Sequence, residues 1–484
     1  MRRPLVLLAV LVAAGVITAA LPAARGDLDP TFGSGGKVTT DFGGNETAWG
    51  LAVQADGKAV VAGTRFDPGP SDDFVLARYT ARGALDTAFD GDGKVTTDFG
   101  GRSDGADDVA IQPDGKIVAA GSGFPAPVRP LDFALARYNR DGSLDGTFGD
   151  GGKVLTTFEP NSIDGANAVV IQPDGKIVAA GSTRSGPTRE FAVARYLPNG
   201  SLDGTFDGDG LVVTPISSGI AFDLAVQRDG KLVAAGWSNP GGFDIAMVRY
   251  NVDGSLDSSF DGDGMVVASS FRPASTYASH VLVQSDGKIL TGGAGLARFN
   301  SDGTVDRSFG AGGRAVTDMG LPTPILQPDR KILAAGSTSS PGNFSDFAVV
   351  RLTAAGRIDP TYGRGGRVVT NFRTQDDATD ASLLPNGKLV VSGYTSQVPF
   401  GAPADFAVAR YVAIRFCVVP PVRGQRLAAA RTRLVRANCR LGKVKRRYSA
   451  TVRRGRVISQ RPRIGARLAE LAKVGLVVSR GRRR

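Results

Sequence analysis

The chain has 484 residues, of which 42% are hydrophobic and 65 are Gly, so it can bury a large core with many tight turns and still hold a second domain. Its single histidine, His280, excludes His-rich metal sites. The formal net charge of +12 is unevenly spread: residues 413–484 hold 22 Lys or Arg and one acid, whereas 27–412 hold 33 basic and 45 acidic residues.

Residues 1–26 have the pattern of a secretory signal peptide. Arg2 and Arg3 precede an apolar run from Leu5 to Leu21, and small residues follow up to Gly26. We expect cleavage near Gly26 and a secreted protein, extracellular or associated with the cell wall. A run of about 17 apolar residues also leaves open a retained membrane anchor. No other apolar run is long enough to span a bilayer, so we expect no membrane span after cleavage.

One phrase recurs seven times at intervals of roughly 43 to 60 residues, a spacing typical of β-propeller blades. The copies are AVQADGKAVVAG (52–63), AIQPDGKIVAAG (110–121), VIQPDGKIVAAG (170–181), AVQRDGKLVAAG (225–236), LVQSDGKILTGG (282–293), LQPDRKILAAG (326–336) and LLPNGKLVVSG (383–393). Each copy predicts two short strands joined by a tight turn. Within the repeats, no apolar run has the length or the 3.6-residue period of a buried helix.

Residues 165–216 illustrate one predicted blade of four antiparallel strands. The strands are expected at Ala168 to Gln172, Lys176 to Ser182, Phe191 to Tyr196 and Leu211 to Pro215.

Three residues recur in every blade, and we interpret them as structural because a catalytic site needs asymmetry. They are an acid (Asp29, Asp86, Asp145, Asp203, Asp257, Asp306, Asp359), an aromatic residue (Phe32, Phe89, Phe148, Phe206, Phe260, Phe309, Tyr362) and an arginine (Arg78, Arg137, Arg195, Arg249, Arg298, Arg351, Arg410). We expect an Asp–Arg hydrogen-bonded pair, with the aromatic ring between the blades.

The repeats begin out of phase, which predicts how the ring closes. The segment Lys37 to Phe42 reads as a fourth strand but precedes any first strand, and the last blade ends with its third strand, Phe406 to Val412. The sequence therefore predicts an all-β, seven-bladed β-propeller over 27–413, whose N-terminal strand completes the last blade and leaves no unpaired edge.

These segments resemble the delta-60 repeat family of bacterial secreted propellers, whose blades are similar to the NHL type. The matching motifs are DGKI…G, DFALARYN.DGSLD..FG and GKV.T, over about 28–413. The resemblance implies a propeller and brings no established activity. The departures are Asp329-Arg330-Lys331 in place of Asp-Gly-Lys and a shortened fifth blade at 291–300, which affect local turns only.

Residues 414–484 read as a small α+β domain, with a Val-Pro strand, a helix from about Gln425 to Ala437 and three further strands. The segments Val419-Pro420, Gly455 to Gln460 and the closing VGLVVSRG resemble a PASTA domain. The resemblance implies recognition of peptidoglycan or another cell-wall polymer.

The tail holds both cysteines and a large excess of positive over negative charge. Secretion favours a Cys417–Cys439 disulfide, with two free thiols as the alternative. The excess charge predicts binding to a polyanion. The candidate side chains for it are Arg453, Arg454, Arg482, Arg483 and Arg484.

Two motifs for common chemistry are missing from the sequence: we find no P-loop and no complete dinucleotide fingerprint, and we expect no cofactor. Asp-Gly-Asp-Gly at 90–93, 207–210 and 261–264 resembles part of a calcium loop, but its distal Glu is missing and a turn is the preferred interpretation. His280 is interpreted as an incidental or core residue.

We expect a monomeric, non-catalytic binding or scaffold protein, held at the cell wall by its tail. The candidate ligand face carries loop aromatics, although packing onto the blades is an equally simple role for them. These residues are Phe66, Phe124, Trp237, Phe344, Tyr394 and Phe400. The alternative is an extracellular polysaccharide hydrolase or lyase, which needs two non-repeating acids near the central channel about 5 to 10 Å apart. The acids that could supply them are Asp104, Asp107, Asp108, Asp164 and Asp223.

Overall fold

The structure is a computed structural model that describes most of the chain. The described residues are 25–66, 72–100, 103–125, 130–239, 243–269, 277–340, 344–373, 375–397, 404–414, 417–468 and 472–483. The predicted signal peptide falls almost wholly on 1–24 and so lies outside them. Within the described part, no helix is long and apolar enough to cross a bilayer.

Seven antiparallel sheets of four strands form the body of the described chain. The first strand along the chain is β1 (Lys37–Thr40). Sheet I contains β2 (Asn45–Val53), β3 (Ala59–Phe66), β4 (Asp73–Tyr79) and β5 (Lys94–Thr97); sheet II contains β6 (Gly105–Ile111), β7 (Ile117–Gly123), β8 (Asp132–Tyr138) and β9 (Lys153–Thr156); sheet III contains β10 (Gly165–Ile171), β11 (Ile177–Thr183), β12 (Glu190–Tyr196) and β13 (Leu211–Thr214).

The remaining four sheets repeat this order, and the last of them takes β1 as its fourth strand. Sheet IV contains β14 (Gly219–Val226), β15 (Leu232–Ser238), β16 (Asp244–Tyr250) and β17 (Met265–Ala268); sheet V contains β18 (His280–Val283), β19 (Ile289–Gly293), β20 (Gly295–Phe299) and β21 (Arg314–Ala315); sheet VI contains β22 (Gly320–Leu326), β23 (Ile332–Ser340), β24 (Phe344–Leu352) and β25 (Arg367–Thr370); sheet VII contains β26 (Gln375–Leu383), β27 (Lys388–Ser396), β28 (Ala404–Val412) and β1.

The sheets form a closed ring around a central channel. The first strand of each sheet contacts the first strand of the next sheet, and β26 of sheet VII contacts β2 of sheet I. Apolar side chains fill the spaces between neighbouring sheets, as Phe74 and Leu76 of sheet I do against Ala119 of sheet II. The predicted all-β propeller fold is therefore confirmed.

Ring closure occurs as predicted, through the strand nearest the N-terminus. β1 pairs antiparallel with β28, from Lys37 opposite Ala409 to Thr40 opposite Phe406. Without this pairing, β28 would be an open sheet edge.

The repeated Asp-Gly-Lys phrase forms the predicted turn between first and second strands. Its glycine adopts a positive φ, for example +87° at Gly175, and its amide donates to the carbonyl of Gln172 at 2.9 Å. At the departure from the motif, Arg330 takes the same backbone conformation with a φ of +66° and also donates to Gln327. The turn is thus kept, at the cost of a conformation that an L side chain disfavours.

The recurring Asp, Arg and aromatic residue form one unit in each sheet, as predicted. In sheet III, Arg195 Nε donates to Asp203 Oδ2 at 2.7 Å, and its guanidinium lies 4.5 Å from the ring centroid of Phe206. Arg195 Nη1 also donates to the carbonyl of Val252, which follows the third strand of the next sheet. The arginine therefore joins neighbouring sheets as well as fixing its own connector.

Sequence reasoning missed a fourth member of this unit. The lysine of each Asp-Gly-Lys phrase pairs with the same carboxylate, for instance Lys176 with Asp203 Oδ2 at 2.9 Å. At the closing sheet, Lys388 and Arg410 both bind Asp29, so this unit too spans the two ends of the ring.

The described residues of the C-terminal part form one helix and five short strands. They are β29 (Cys417–Val418), α1 (Leu427–Arg436), β30 (Arg440–Arg447), β31 (Val457–Arg461), β32 (Arg467–Leu468) and β33 (Lys473–Ser479). The helix is shorter at both ends than predicted, and β32, which pairs with β29, was not predicted. Cys417 and Cys439 form the predicted disulfide, in a core that includes Ala430 and Leu434 of α1.

Candidate functional site

The first strands line the channel, and most of them carry a β-bulge at mid-length. In sheet II the pairing with β7 jumps from Ala106 to Asp108, leaving Asp107 as the extra residue. Bulges redirect side chains, and here both Asp107 and Asp108 face the channel. A glycine near the end of the second strand makes room for the bulge: a Cβ on Gly121 would lie 1.9 Å from the carbonyl oxygen of Gly105.

A cavity of about 610 Å³ occupies the channel. Its polar lining includes five carboxylates and the imidazole of His280, and its apolar lining is largely aromatic. The main lining residues are Trp49, Asp107, Asp108, Asn167, Phe222, Asp223, Tyr277, His280, Thr323, Asp377, Thr379, Asp380 and Tyr394. No Lys or Arg is among the described residues that line it.

Asp108, Asp223 and Asp380 occupy equivalent bulge positions and link neighbouring sheets. Asp223 Oδ1 accepts from the amide of Leu224 and Oδ2 from the amide of Val281 in sheet V, both at 2.7 Å.

Asp108 makes the same two contacts, with its own strand and with Val169 of sheet III. Asp380 reaches Leu51 across the closure at 2.9 Å. These three carboxylates therefore hold the wall of the channel in place.

Burial, and after it the crowding of the carboxylates, raises their pKa values. Burial, followed by the charge of Asp108, raises the pKa of Asp107 to about 7. Burial and the charge of Asp108 likewise raise the pKa of Asp223 to about 7, against two amide hydrogen bonds that lower it. The pKa of Asp380 is raised well above its usual range by burial and by Asp108 and Asp223. A cation in the cavity would relieve this repulsion.

His280 lines the same cavity as these acids and is neutral. Burial lowers the pKa of His280 to about 4, although the backbone of Thr379 opposes the shift. Its ring nitrogens contact Ser279 Oγ at 3.1 Å and Thr323 Oγ1 at 3.2 Å. The imidazole is therefore fixed by hydroxyl groups and adds no positive charge at neutral pH. From the sequence, His280 is interpreted as an incidental or core residue, whereas the structure places it in the cavity lining.

Aromatic rings form the apolar part of the lining. Trp49 is 40% exposed, and its ring centroid lies 6.4 Å from that of Tyr394 in an edge-to-face contact. Phe222 and Tyr277 contact each other at 5.7 Å. Exposed rings beside carboxylates suit ligands that carry a cationic group on an apolar or sugar-like body.

The structure brings only one of the predicted ligand-face aromatics to the cavity, Tyr394. Trp237 packs edge-on against Phe243 at 4.9 Å, and Phe124 donates its amide to Asp104. Phe66 and Phe344 lie at strand ends away from the cavity lining, and Phe400 lies outside the described residues.

The five predicted acids divide into two groups. Asp107, Asp108 and Asp223 line the cavity. Asp104 and Asp164 are buried outside the cavity. Asp104 accepts a hydrogen bond from the amide of Phe99 at 2.7 Å, and Asp164 accepts one from the amide of Phe158 at 2.9 Å. These two carboxylates therefore stabilise the connections between strands in the described structure.

The Asp-Gly-Asp-Gly segments form turns. Asp207 has a φ of +52°, and Asp209 Oδ1 caps the turn by accepting from the amide of Leu211 at 2.8 Å. The described acidic groups that approach metal-ligand geometry do not include these segments. The turn interpretation therefore accounts for them.

The basic candidates of the tail are exposed. Arg453 and Arg454 lie between β30 and β31, and Arg482 and Arg483 follow β33. Arg484 lies outside the described residues. The helix adds Arg431, Arg433 and Arg436, and no acid lies in its first turn.

Comparisons with known proteins agree with this architecture. A family model described as "Domain of unknown function (DUF5122) beta-propeller" matches six segments between 54 and 362. The segments are 54–89, 112–148, 172–206, 227–260, 284–309 and 327–362. A PASTA domain model matches 418–480. The comparison with curated proteins gives no match.

Two solved structures are similar to the chain at low identity. One is a protein of unknown function from Dyadobacter fermentans, with 13% identity and a TM-score of 0.40, covering 79% of this chain and 99% of that one. The other is Sqt1 from Chaetomium thermophilum, with 11% identity and a TM-score of 0.41, covering 78% of this chain and 97% of that one. The family models are more specific, and they show that the chain is a protein of DUF5122 β-propeller repeats with a C-terminal PASTA domain.

Proposed function

We propose that the chain is an extracellular, non-catalytic binding protein. Its PASTA domain attaches it to the cell wall, and its propeller channel binds a ligand that presents a cationic group, such as an amine, on an apolar or sugar-like body. A β-propeller joined to a PASTA domain suggests extracellular or cell-wall binding.

The lining of the channel carries this proposal. Five carboxylates face the cavity without a Lys or Arg among the described lining residues, and aromatic rings lie beside them. A bound ammonium would meet negative charge at Asp107, Asp223 and Asp380, while the ligand body would pack against Trp49 and Tyr394. A cavity of about 610 Å³ has the size of an ordinary small-molecule site.

The tail supports the second half of the proposal. Its 22 basic residues and single acid give it a strong positive potential, and cell-wall polymers are often anionic. PASTA domains as a group suggest peptidoglycan or another wall component as the partner. We expect charge attraction to dominate over recognition of one muropeptide.

Tryptophan fluorescence tests the channel directly, because the chain has only two Trp residues. In a Trp237→Phe chain, emission reports on Trp49 at the cavity. The probes are the end-capped tripeptide acetyl-Ala-Lys-Ala-amide, whose only amine is the lysine side chain, and its Nε-acetylated form at pH 7.5. We expect a saturable change with the amine, little change with the acetylated peptide, and about tenfold weaker binding after Asp223→Asn. Equal responses to both peptides, or no effect of Asp223→Asn, would overturn the proposal.

One observation favours a second candidate, the polysaccharide hydrolase or lyase. No hydrogen bond from a described residue lowers the pKa of Asp107, which at about 7 suits a general acid. Against it, both oxygens of Asp108 and of Asp223 already accept backbone amides. Release of reducing ends from wall polysaccharide, abolished by Asp107→Asn, would establish the enzyme instead.

A further inference from the structure

A second group of acids lies where the ring closes. One carboxylate oxygen from each of Asp41, Glu46 and Asp405 lies within 4.8 Å of the other two. Asp41 follows β1, Asp405 lies on β28 and Glu46 lies on β2, so the group spans sheets VII and I. It is separate from the channel cavity, whose lining contains none of the three.

Glu46 contributes an unsatisfied buried oxygen to this group. Its side chain is fully buried, and Oε1 accepts from the amide of Gly44 at 2.6 Å. Oε2 has no hydrogen-bond partner among the described residues. The amide of Phe42 is close enough to lower the pKa of the carboxyl, but it makes no hydrogen bond of normal geometry with Oε2. A buried carboxylate oxygen left without a donor is costly, which points to a missing positive partner.

The electrostatics of the three acids also point to a missing positive partner. Burial raises the pKa of Glu46, and the charges of Asp41 and Asp405 add to the effect. Three cations are near: Arg373 Nη1 contacts Asp405 Oδ2 at 2.5 Å, Lys94 Nζ donates to the carbonyl of Asp41 at 3.2 Å, and Arg65 lies opposite Glu46 in the pairing of β2 with β3. Neither Arg373 nor Lys94 forms an ion pair with Glu46 among the described contacts.

Equivalent junctions elsewhere in the ring replace one acid with a hydrogen-bond donor. At the position of Asp41, sheet VI has Asn371, whose Nδ2 donates to Asp346 Oδ1 at 2.7 Å. Sheet II has Thr157 there, whose Oγ1 donates to Asp132 Oδ1 at 2.9 Å. In these junctions a neutral side chain from the protein satisfies the acid on the third strand.

A second triple of acids occurs at the junction of sheets I and II. It consists of Asp73, Asp98 and Asp104. Here both oxygens of the buried acid are satisfied: Asp104 Oδ1 accepts from Phe124 and Oδ2 from Phe99, each at 2.7 Å. The unsatisfied oxygen therefore distinguishes the closure group from its nearest copy.

We propose that Asp41, Glu46 and Asp405 bind a divalent hard cation, with Ca²⁺ the best fit, and that the ion ties sheet VII to sheet I at the ring closure. Carboxylate oxygens are the ligands that Ca²⁺ takes, at about 2.3–2.6 Å each. Two oxygens on opposite sides of such an ion lie about 4.6–5.2 Å apart, which matches the spread of the three oxygens. Asp41 is exposed, so water can complete the coordination.

Calorimetric titration of the full chain with CaCl₂, after treatment with a chelator, tests the site. We expect one ion per chain with a Kd of about 10⁻⁴–10⁻³ M, the range of extracellular calcium modules. Glu46→Gln and Asp41→Asn should each weaken binding at least about tenfold. The matched control Asp98→Asn, in the second triple, should leave both stoichiometry and affinity unchanged.

Thermal melting gives an independent readout. The wild type should melt at a higher temperature in 5 mM CaCl₂ than in NaCl of equal ionic strength, because an ion that binds only the folded state stabilises it. Glu46→Gln should fold in chelator but lose the shift. Absence of binding by the wild type, retention of binding in Glu46→Gln and Asp41→Asn, or its loss in Asp98→Asn or in the turn variant Asp209→Asn would overturn the proposal.

Discussion

The repeated carboxylate of the connector gives the sharpest stability prediction, through Asp203→Asn. Asp203 is 2% exposed, and its Oδ2 accepts from Arg195 at 2.7 Å and from Lys176 at 2.9 Å. Its Oδ1 accepts from the amide and hydroxyl of Thr205. The substitution removes the charge and keeps the shape, so it leaves the buried Arg195 guanidinium without its counter-charge.

Breaking a buried ion pair from one side costs about 3–5 kcal/mol. Arg195 keeps its contacts with the Phe206 ring and the Val252 carbonyl, so we expect a loss near the lower end, about 3 kcal/mol. Lys176 is 25% exposed, and the matched variant Lys176→Met should cost about 0–1 kcal/mol. Urea unfolding of the full chains at pH 7 measures both through the shift in midpoint.

The same variant carries a pH dependence. Burial would raise the pKa of Asp203, but hydrogen bonds from Lys176 and Thr205 and the charge of Arg195 outweigh it and hold the pKa well below its usual range. A carboxyl with a depressed folded-state pKa stabilises the protein above the unfolded pKa of about 4 and loses that contribution as the pH falls further. The difference between wild type and Asp203→Asn should therefore shrink between pH 4 and pH 2. A loss below about 1 kcal/mol at pH 7, or an equal loss in Lys176→Met, would refute the reasoning.

Four further predictions follow from other parts of the chain. Arg330→Gly should stabilise the propeller by about 0.5–1 kcal/mol in urea unfolding, since it relieves a positive φ; a destabilised variant would contradict this. Deleting 27–43 should unfold or oligomerise the protein by exposing β28, and an unchanged, monomeric melting profile would count against ring closure. Reduction of Cys417–Cys439 should cost the tail about 3 kcal/mol for a 22-residue loop, seen as earlier loss of tail amide protection, with the propeller unchanged. The chain should sediment with Gram-positive walls at low ionic strength and be released by about 0.5 M salt. Sedimentation should weaken when five arginines are changed together to Gln, namely Arg453, Arg454, Arg482, Arg483 and Arg484. Sedimentation that does not depend on salt would instead favour specific recognition of peptidoglycan.

The repeat made the framework predictable. A residue present in every copy has the same neighbours in every copy, so one blade was enough to infer the Arg195–Asp203 pair and the turn at Gly175. The phase of the copies gave the β1–β28 closure. The lysine of the turn was missed because its partner lies in a connector 27 residues along the chain, as Lys176 and Asp203 show, and spacing alone does not bring the two together.

The sequence repeat does not predict the channel lining, because the residues at the bulge differ from sheet to sheet. The extra residue of the bulge is Trp49 in one sheet, Asp107 in another and Phe222 in a third. A signal was present all the same: in sheet II, Gly121 near the end of the second strand pairs with Ala106 just before the bulge, and the two residues that follow Ala106 face the channel. Applying that rule to 378–380 would have identified Asp380.

The pH dependence of cation binding tests the channel most directly. Benzyltrimethylammonium keeps its charge at every pH, so a titration of the Trp237→Phe chain reports only the ionisation of the protein. Asp107 and Asp223 have pKa values raised to about 7, and the affinity should therefore rise about tenfold from pH 5.5 to pH 8 as these carboxylates ionise. Asp223→Asn should flatten that rise. An affinity that does not change with pH, or that Asp223→Asn leaves untouched, would contradict cation recognition by the channel.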